Sequence, residues 1–467
     1  MGRSLATGLS ASSSALARLC AEAADLELED VGEASRRHAV GVIADTIGAM
    51  LGGGREPEVM ALVEGRSEEA LFPLHPGRAQ LVTPGQPGTD ALTAAFVNAS
   101  AGTFLELDEG VRPSGHPAVH VVPAALAAAQ ALGRSGSELL AAVLSGYEVA
   151  ARLFTAYRLR FPVHPHGNLA AIGAAVAVAR LRRADAVEPA RVAAALPLLS
   201  VWQPAFEGAT VRNAFAGVGA AVGVMANRLT AAGFTGSAEA LPAAFGEIAG
   251  ELVEADLLEA PIRGDALLID RDYQKRHSAC ALSHSAIDAV LSLGPIDPNM
   301  IRSVRVETVE NNLRLDRLSR GNPLSNRFSL QYAVAAAIVH GAAGPAAFAP
   351  DRRAAELARR VSVSALPELT ARWPRSSTAR VIVELDDDIL EAEVENPVGH
   401  ESRRLSPSQL REKFDGLAAA PDGSGPRVTF DRLLELEKIE DVGCLLGVQR
   451  NFKTSADDRI PPPGRLA

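Results

Sequence analysis

Apolar residues recur at helical spacing through most of the first 260 positions of the chain. The run Ser35-Arg-Arg-His-Ala-Val-Gly-Val-Ile-Ala-Asp-Thr-Ile-Gly-Ala-Met50 reads as one helix, and Gly52-Gly-Gly54 stops it. The same spacing predicts helices over 90–107, 123–132, 137–159 and 169–181, with at least two more within 187–232. Strand signals are nearly absent here. After about residue 270 the period shortens. Ile301-Arg-Ser-Val-Arg-Val-Glu-Thr-Val309 alternates as a strand does, as do 379–385 and 389–394, with Asp386-Asp-Asp388 as a hairpin turn between them. Residues 360–364 add a short strand, while 287–293 and 328–340 stay helical. Helical spacing returns at 408–417 and 430–446. The expected fold is therefore mainly α. It comprises a large all-helical domain over 1–269, a smaller α+β domain over 270–414, and helices within 415–467 that return to the first domain before a loose tail from Thr454.

Composition sharpens this picture. Aromatic residues make up only 4% of the chain, so alanine and leucine do most of the apolar work. Small side chains let helices approach closely, which favours a large bundle. The net charge is -10, and no block of lysine and arginine is interleaved with aromatics, which argues against a nucleic-acid surface. No apolar run reads as long and uninterrupted enough to span a bilayer, and the N-terminus lacks a basic stretch followed by an apolar one. Cys20, Cys280 and Cys444 lie far apart without metal spacing, so a reduced, cytoplasmic setting is expected.

Four constellations carry candidate chemistry. The first is Leu105-Glu-Leu-Asp-Glu-Gly-Val-Arg-Pro-Ser-Gly-His-Pro-Ala-Val-His120. Glu106, Asp108 and Glu109 are too crowded to ionise independently in a dry site, and His116 serves acid–base work near pH 7 with little tuning. The plainer alternative is a helix end followed by a solvated acidic turn. The second is His164-Pro-His166-Gly-Asn168 before a Gly/Ala helix, which suits a ligand site, half of a metal site, or simply a packed histidine. The third is Lys275-Arg-His277 with Cys280 and His284, a cationic cluster near a domain boundary that suits an anionic substrate or, more plainly, a basic turn. The fourth is Arg212 ahead of Gly217-Val-Gly219. Its glycines fail the dinucleotide spacing and follow no strand, so they read as helix packing.

Taken in order, these pieces resemble the MmgE/PrpD family, which includes 2-methylcitrate dehydratase and cis-aconitate decarboxylase. The similarity rests on Asp45-Thr-Ile-Gly-Ala-Met-Leu-Gly52, the acidic loop with His116-Pro, Gly146-Tyr-Glu-Val-Ala-Ala-Arg152, and His164-Pro. It continues through Ala231-Ala-Gly-Phe-Thr-Gly236, Lys275 with Cys280 and His284, Phe328-Ser-Leu-Gln-Tyr-Ala-Val-Ala335, and Leu405-Ser-Pro. The resemblance implies that the α+β domain is a lid over a helical domain built from both chain ends. It also implies a homodimer, chemistry without cofactor or metal, and a site between domains lined by Glu106, His116, His164, Arg212, Lys275 and Cys280. In the decarboxylase branch the position of Glu106 is an aspartate, that of Gly110 a threonine, that of Arg212 a lysine and that of Cys280 a histidine. Decarboxylation of cis-aconitate is thus not the expected reaction.

The expectation is a cofactor-independent lyase that dehydrates or hydrates a small hydroxy-polycarboxylate. His116 and His164 divide base and acid between them, with Glu106 and Asp108 orienting them. Arg212 and Lys275 hold carboxylates, and Cys280, His284, Arg112 and His166 complete the substrate contacts. Alternatives are an isomerase, epimerase or decarboxylase on a related di- or tricarboxylate, and a catalytically silent binding subunit.

Overall fold

The structure is a computed structural model that describes residues 14–64, 76–419 and 428–447. The expected tail from Thr454 lies outside the described residues. Six helices organise the larger core: α1 (Glu33–Gly53), α2 (Ala91–Thr103), α3 (Ala118–Leu132), α4 (Gly136–Ala156), α5 (Leu169–Arg182) and α6 (Ala214–Ala231). Their starts follow local chemistry. Ser135 and Glu138 form a reciprocal capping box that opens α4. The Asn168 side chain accepts from Leu169 N–H at the head of α5.

Small residues decide how these helices pack. Gly146 of α4 faces Gly173 of α5 so closely that a Cβ on either would fall 2.4 or 2.2 Å from the other's carbonyl oxygen. The glycine pair of α6 works the same way: a Cβ at Gly217 would meet Ser100 Oγ at 2.2 Å. These glycines are a packing seam, as their failed spacing implied.

Some expected boundaries shift. Helix α2 stops at Thr103, short of the expected 107, so the carboxylates of Glu106, Asp108 and Glu109 stand outside it. Helix α3 starts five residues before Pro123 and carries that proline inside it. Two short strand pairs escaped the sequence reading, β1 (Gly110–Val111) with β4 (Asp272–Tyr273) and β2 (Tyr157–Leu159) with β3 (Gly250–Leu252). Two helical stretches, Gly136–Ala156 and Thr210–Ala231, are also long and apolar enough to cross a membrane by length and composition, contrary to expectation. The first is a core helix here: 94% of its most apolar window is buried, and it encloses the Glu148–Arg152 ion pair at 2.7 Å.

The smaller domain is built on a four-stranded sheet of β5 (Ile301–Thr308), β6 (Val361–Ala365), β7 (Ala379–Leu385) and β8 (Ile389–Val394), in the order β6-β5-β7-β8. Only the β5–β6 pair is parallel, and α8 (Leu330–His340) lies in the crossover that a parallel pair requires. Helix α7 (His284–Ser292) packs against β7 and β8. The molecule is thus mainly helical with a smaller α/β domain. Its two larger apolar cores do not follow the expected cuts. Trp202 and Phe206 join the second core, although they precede residue 269. Helix α9 (Pro407–Ala418) spans the expected boundary at 414 and belongs to the first core, with Phe414 against Gly48 of α1.

Candidate active site

The pairing of β1 with β4 sets Gly110 opposite Tyr273 and draws the acidic loop beside Lys275. A Cβ at Gly110 would come 2.4 Å from the Tyr273 hydroxyl oxygen. The tyrosine therefore fills the space that a larger residue at 110 would need. Just ahead of β1, Glu106 takes a left-handed backbone conformation, φ 51°, which is uncommon for a non-glycine residue.

A buried charge network results. Lys275 Nζ lies 3.1 Å from Glu106 Oε2 and 2.9 Å from Asp108 Oδ1. Arg212 Nη1 contacts Glu106 Oε1, and all four side chains are fully buried. Burial alone would raise the Asp108 carboxyl, but Lys275 and then His116 outweigh it and hold the group well below the usual carboxylate range. Lys275 is correspondingly held in its charged form: burial opposes this, and Asp108 and Glu106 prevail. Glu109 differs. Burial pushes it well above the ordinary range, while it accepts from Tyr147 OH at 2.7 Å and from the Ala118 N–H of α3 at 3.0 Å.

The histidines have opposite polarity. His116 Nδ1 donates to the Glu109 carbonyl at 2.6 Å and faces Asp108 Oδ2 at 2.9 Å. Both partners are acceptors, so Nδ1 carries a proton, and in the neutral ring the lone pair is on Nε2. His164 is the reverse: its Nδ1 accepts the His166 N–H at 3.1 Å, so its proton sits on Nε2. Burial, then Arg212, pushes His164 well below its ordinary value and keeps it neutral. His120 Nε2 accepts from Gly167 N–H at 3.0 Å and Nδ1 donates to the His116 carbonyl at 2.8 Å, a scaffold beneath the site.

A cleft enclosing about 540 Å³, its mouth included, opens over this network and draws its walls from both domains. Glu106, Arg112, His116, His164, Arg212, Lys275 and Cys280 all line it. Asp108 lies behind, against Lys275 and His116. Two expected substrate contacts do not reach the cleft. His166 is fully buried beneath it, stacked on His116 at 4.5 Å between ring centres. His284 instead serves the smaller domain. It donates from Nε2 to the Ala279 carbonyl at 3.0 Å and abuts His277, which pairs with Asp288. Cys280 does line the cleft, but burial, then Glu106, pushes its thiol up to about 11, so it stays protonated. Sequence reasoning missed Trp202, Tyr273, Asn311, Arg314 and Phe328. Tyr273 had a signal in its place two residues before Lys275. Trp202 and Phe328 carry no charge to mark them, and Asn311 and Arg314 sit in a charged stretch after β5 that the reading did not single out.

Ligating atoms of Asp108, His116 and His166 lie within 4.8 Å of one another, a group that could hold a metal ion. It uses His166 but not the His164–His166 pair that spacing suggested. The chemistry fits a cation poorly, because Lys275 already neutralises Asp108 from its other oxygen at 2.9 Å.

A helical body bearing a smaller α/β domain, with buried acid–base groups between them, sets the class of protein. Family models then agree along its length: the MmgE/PrpD N-terminal domain matches residues 17–251 and the MmgE/PrpD C-terminal domain residues 277–426. The chain belongs to the MmgE/PrpD family. Membership supports a dehydratase-like or related lyase role in broad terms. No curated protein matches the chain.

Proposed function

We propose that the protein is a cofactor-independent lyase that removes water from a small hydroxy-polycarboxylate, or adds it back. The opposite polarity of His116 and His164 on one cleft carries this reading. His116 Nε2 is the base. It takes the proton alpha to a carboxylate, and the imidazolium is stabilised by Asp108 behind Nδ1. His164 is a neutral donor whose Nε2–H polarises a substrate oxygen. It has no extra proton to give, which revises the expectation that it protonates the departing hydroxyl. The proton on His116 returns to that hydroxyl instead. The C–H pair becomes the new C=C bond, the C–O bond breaks, and water leaves. One base on one face makes the elimination syn. Arg212 and Lys275, held by Glu106 and Asp108, place positive charge where the carboxylate gathers electrons. In this reading the smaller domain acts as a lid, the protein is a cytoplasmic homodimer, and small anions are its ligands.

The test is proton NMR in deuterated water with a panel of di- and tricarboxylates. New alkene signals support the lyase. Deuterium wash-in without a new product would replace it with an isomerase or epimerase, and carbon dioxide release with a decarboxylase. Silence across the panel would favour a binding subunit.

A further inference from the structure

Four cations line the cleft, Arg112, Arg212, Lys275 and Arg314, but among the described residues only Glu106 and Asp108 answer them. Both of those carboxylates are spent on Arg212 and Lys275. Arg112 and Arg314 make no ion pair and no side-chain hydrogen bond among the described residues. Instead the guanidinium carbon of each lies over aromatic rings. Arg112 lies over the rings of Tyr273 and Trp373, at 5.3 and 4.7 Å. Arg314 lies over Phe161 at 5.6 Å. With no hydrogen-bond partner among the described residues, both guanidinium forks stay available, and such a fork matches a carboxylate.

The backbone beneath Arg314 is fixed. It stands on the short turn Glu310–Leu315 that follows β5. Asn312 Nδ2 donates to Thr308 Oγ1 at 2.9 Å, and Leu315 is fully buried. The side chain is only partly buried, so it reaches from the smaller domain toward Phe161 of the larger one. Trp202, on the same cleft, has a buried Nε1–H without a hydrogen-bond partner among the described residues. The cleft thus holds two arginines without an ion-pair partner among the described residues, and an unanswered donor.

We propose that Arg314, together with Arg112, receives a second carboxylate of the substrate, so that the site selects ligands with at least two. This rests on the polycarboxylate reading above and assigns its specificity. It adds the unpaired arginines to the paired cations Arg212 and Lys275, which face the first carboxylate.

Binding can be read from tryptophan fluorescence, because Trp202 lines the cleft and Trp373 stacks on Arg112. The probes are glutarate, with two carboxylates, and glutaramate, in which one is an uncharged amide. The full-length protein should prefer glutarate. Arg314→Met should weaken glutarate binding by about 10- to 100-fold, the range for one charge-assisted contact, and leave glutaramate binding unchanged. Arg314→Lys, which keeps the charge but loses the fork, should fall between. An Arg314→Met variant that keeps the full preference for glutarate overturns the proposal alone. If the unaltered protein binds neither glutarate, tricarballylate nor citrate, the polycarboxylate reading falls and takes the proposal with it.

Discussion

Asp108 Oδ2 lies 2.9 Å from His116 Nδ1, behind the ring and away from the cleft. The carboxylate fixes which nitrogen is free. His116→Ala should therefore lower kcat by about 10²–10⁴-fold, the usual span for a general base, and abolish solvent deuterium exchange as well. His164→Gln keeps a donor near the same place. It should lower kcat while exchange at the alpha carbon persists. Circular dichroism checks that both variants stay helical. Equal loss of exchange in the two would remove the division of roles.

Much of this site was legible because its chemistry is concentrated. Glu106, Asp108 and His116 fall in one loop, and Lys275 and Cys280 in another, so charge in an otherwise alanine-rich chain marked them. Helical periodicity also gave the elements of the larger core. What escaped depends on contacts distant in sequence. No local pattern shows that Gly110 must pair with Tyr273, or that Arg314 will rest on Phe161. His166 and His284 were misplaced for a related reason. A histidine beside a functional neighbour reads like a ligand contact until burial shows it beneath the cleft or inside another core.

The paired cations should matter to stability as well as to turnover. Lys275→Met leaves Asp108 buried without its nearest cation, and removing one partner of a buried pair costs about 3–5 kcal/mol. Arg212→Met should cost less, because Lys275 still contacts Glu106 at 3.1 Å. Urea midpoints should fall in that order. A Lys275→Met protein as stable as the parent would mean that Asp108 takes up a proton or finds another partner.

Exhaustive dialysis against a chelator should leave turnover intact. The ligating atoms of Asp108, His116 and His166 are close, but a cation there would displace the proton that His116 Nδ1 donates to the Glu109 carbonyl and would sit near Lys275. Added zinc should therefore inhibit by capturing His116. Activity lost on dialysis and restored by a single divalent ion would make the cluster a metal centre and replace this mechanism.

The buried scaffold histidine gives a pH signature of its own. Burial drives His120 down to about 4 from an ordinary 6.5, so the folded protein resists a proton that the unfolded chain accepts. Its contribution is complete above 6.5 and is lost as pH falls toward 4, on the order of 3 kcal/mol over the whole window. Total stability is a poor readout, because Glu109, Glu148 and Asp45 are raised by burial and act in the opposite sense. Those groups are common to the parent and to His120→Gln, so the difference between the two isolates the histidine. The parent's advantage in unfolding free energy should shrink steadily from pH 6.5 to pH 4, measured by urea unfolding at each pH. A difference that stays constant across this range would show that His120 is protonated in the fold, with its hydrogen bond from Gly167 broken.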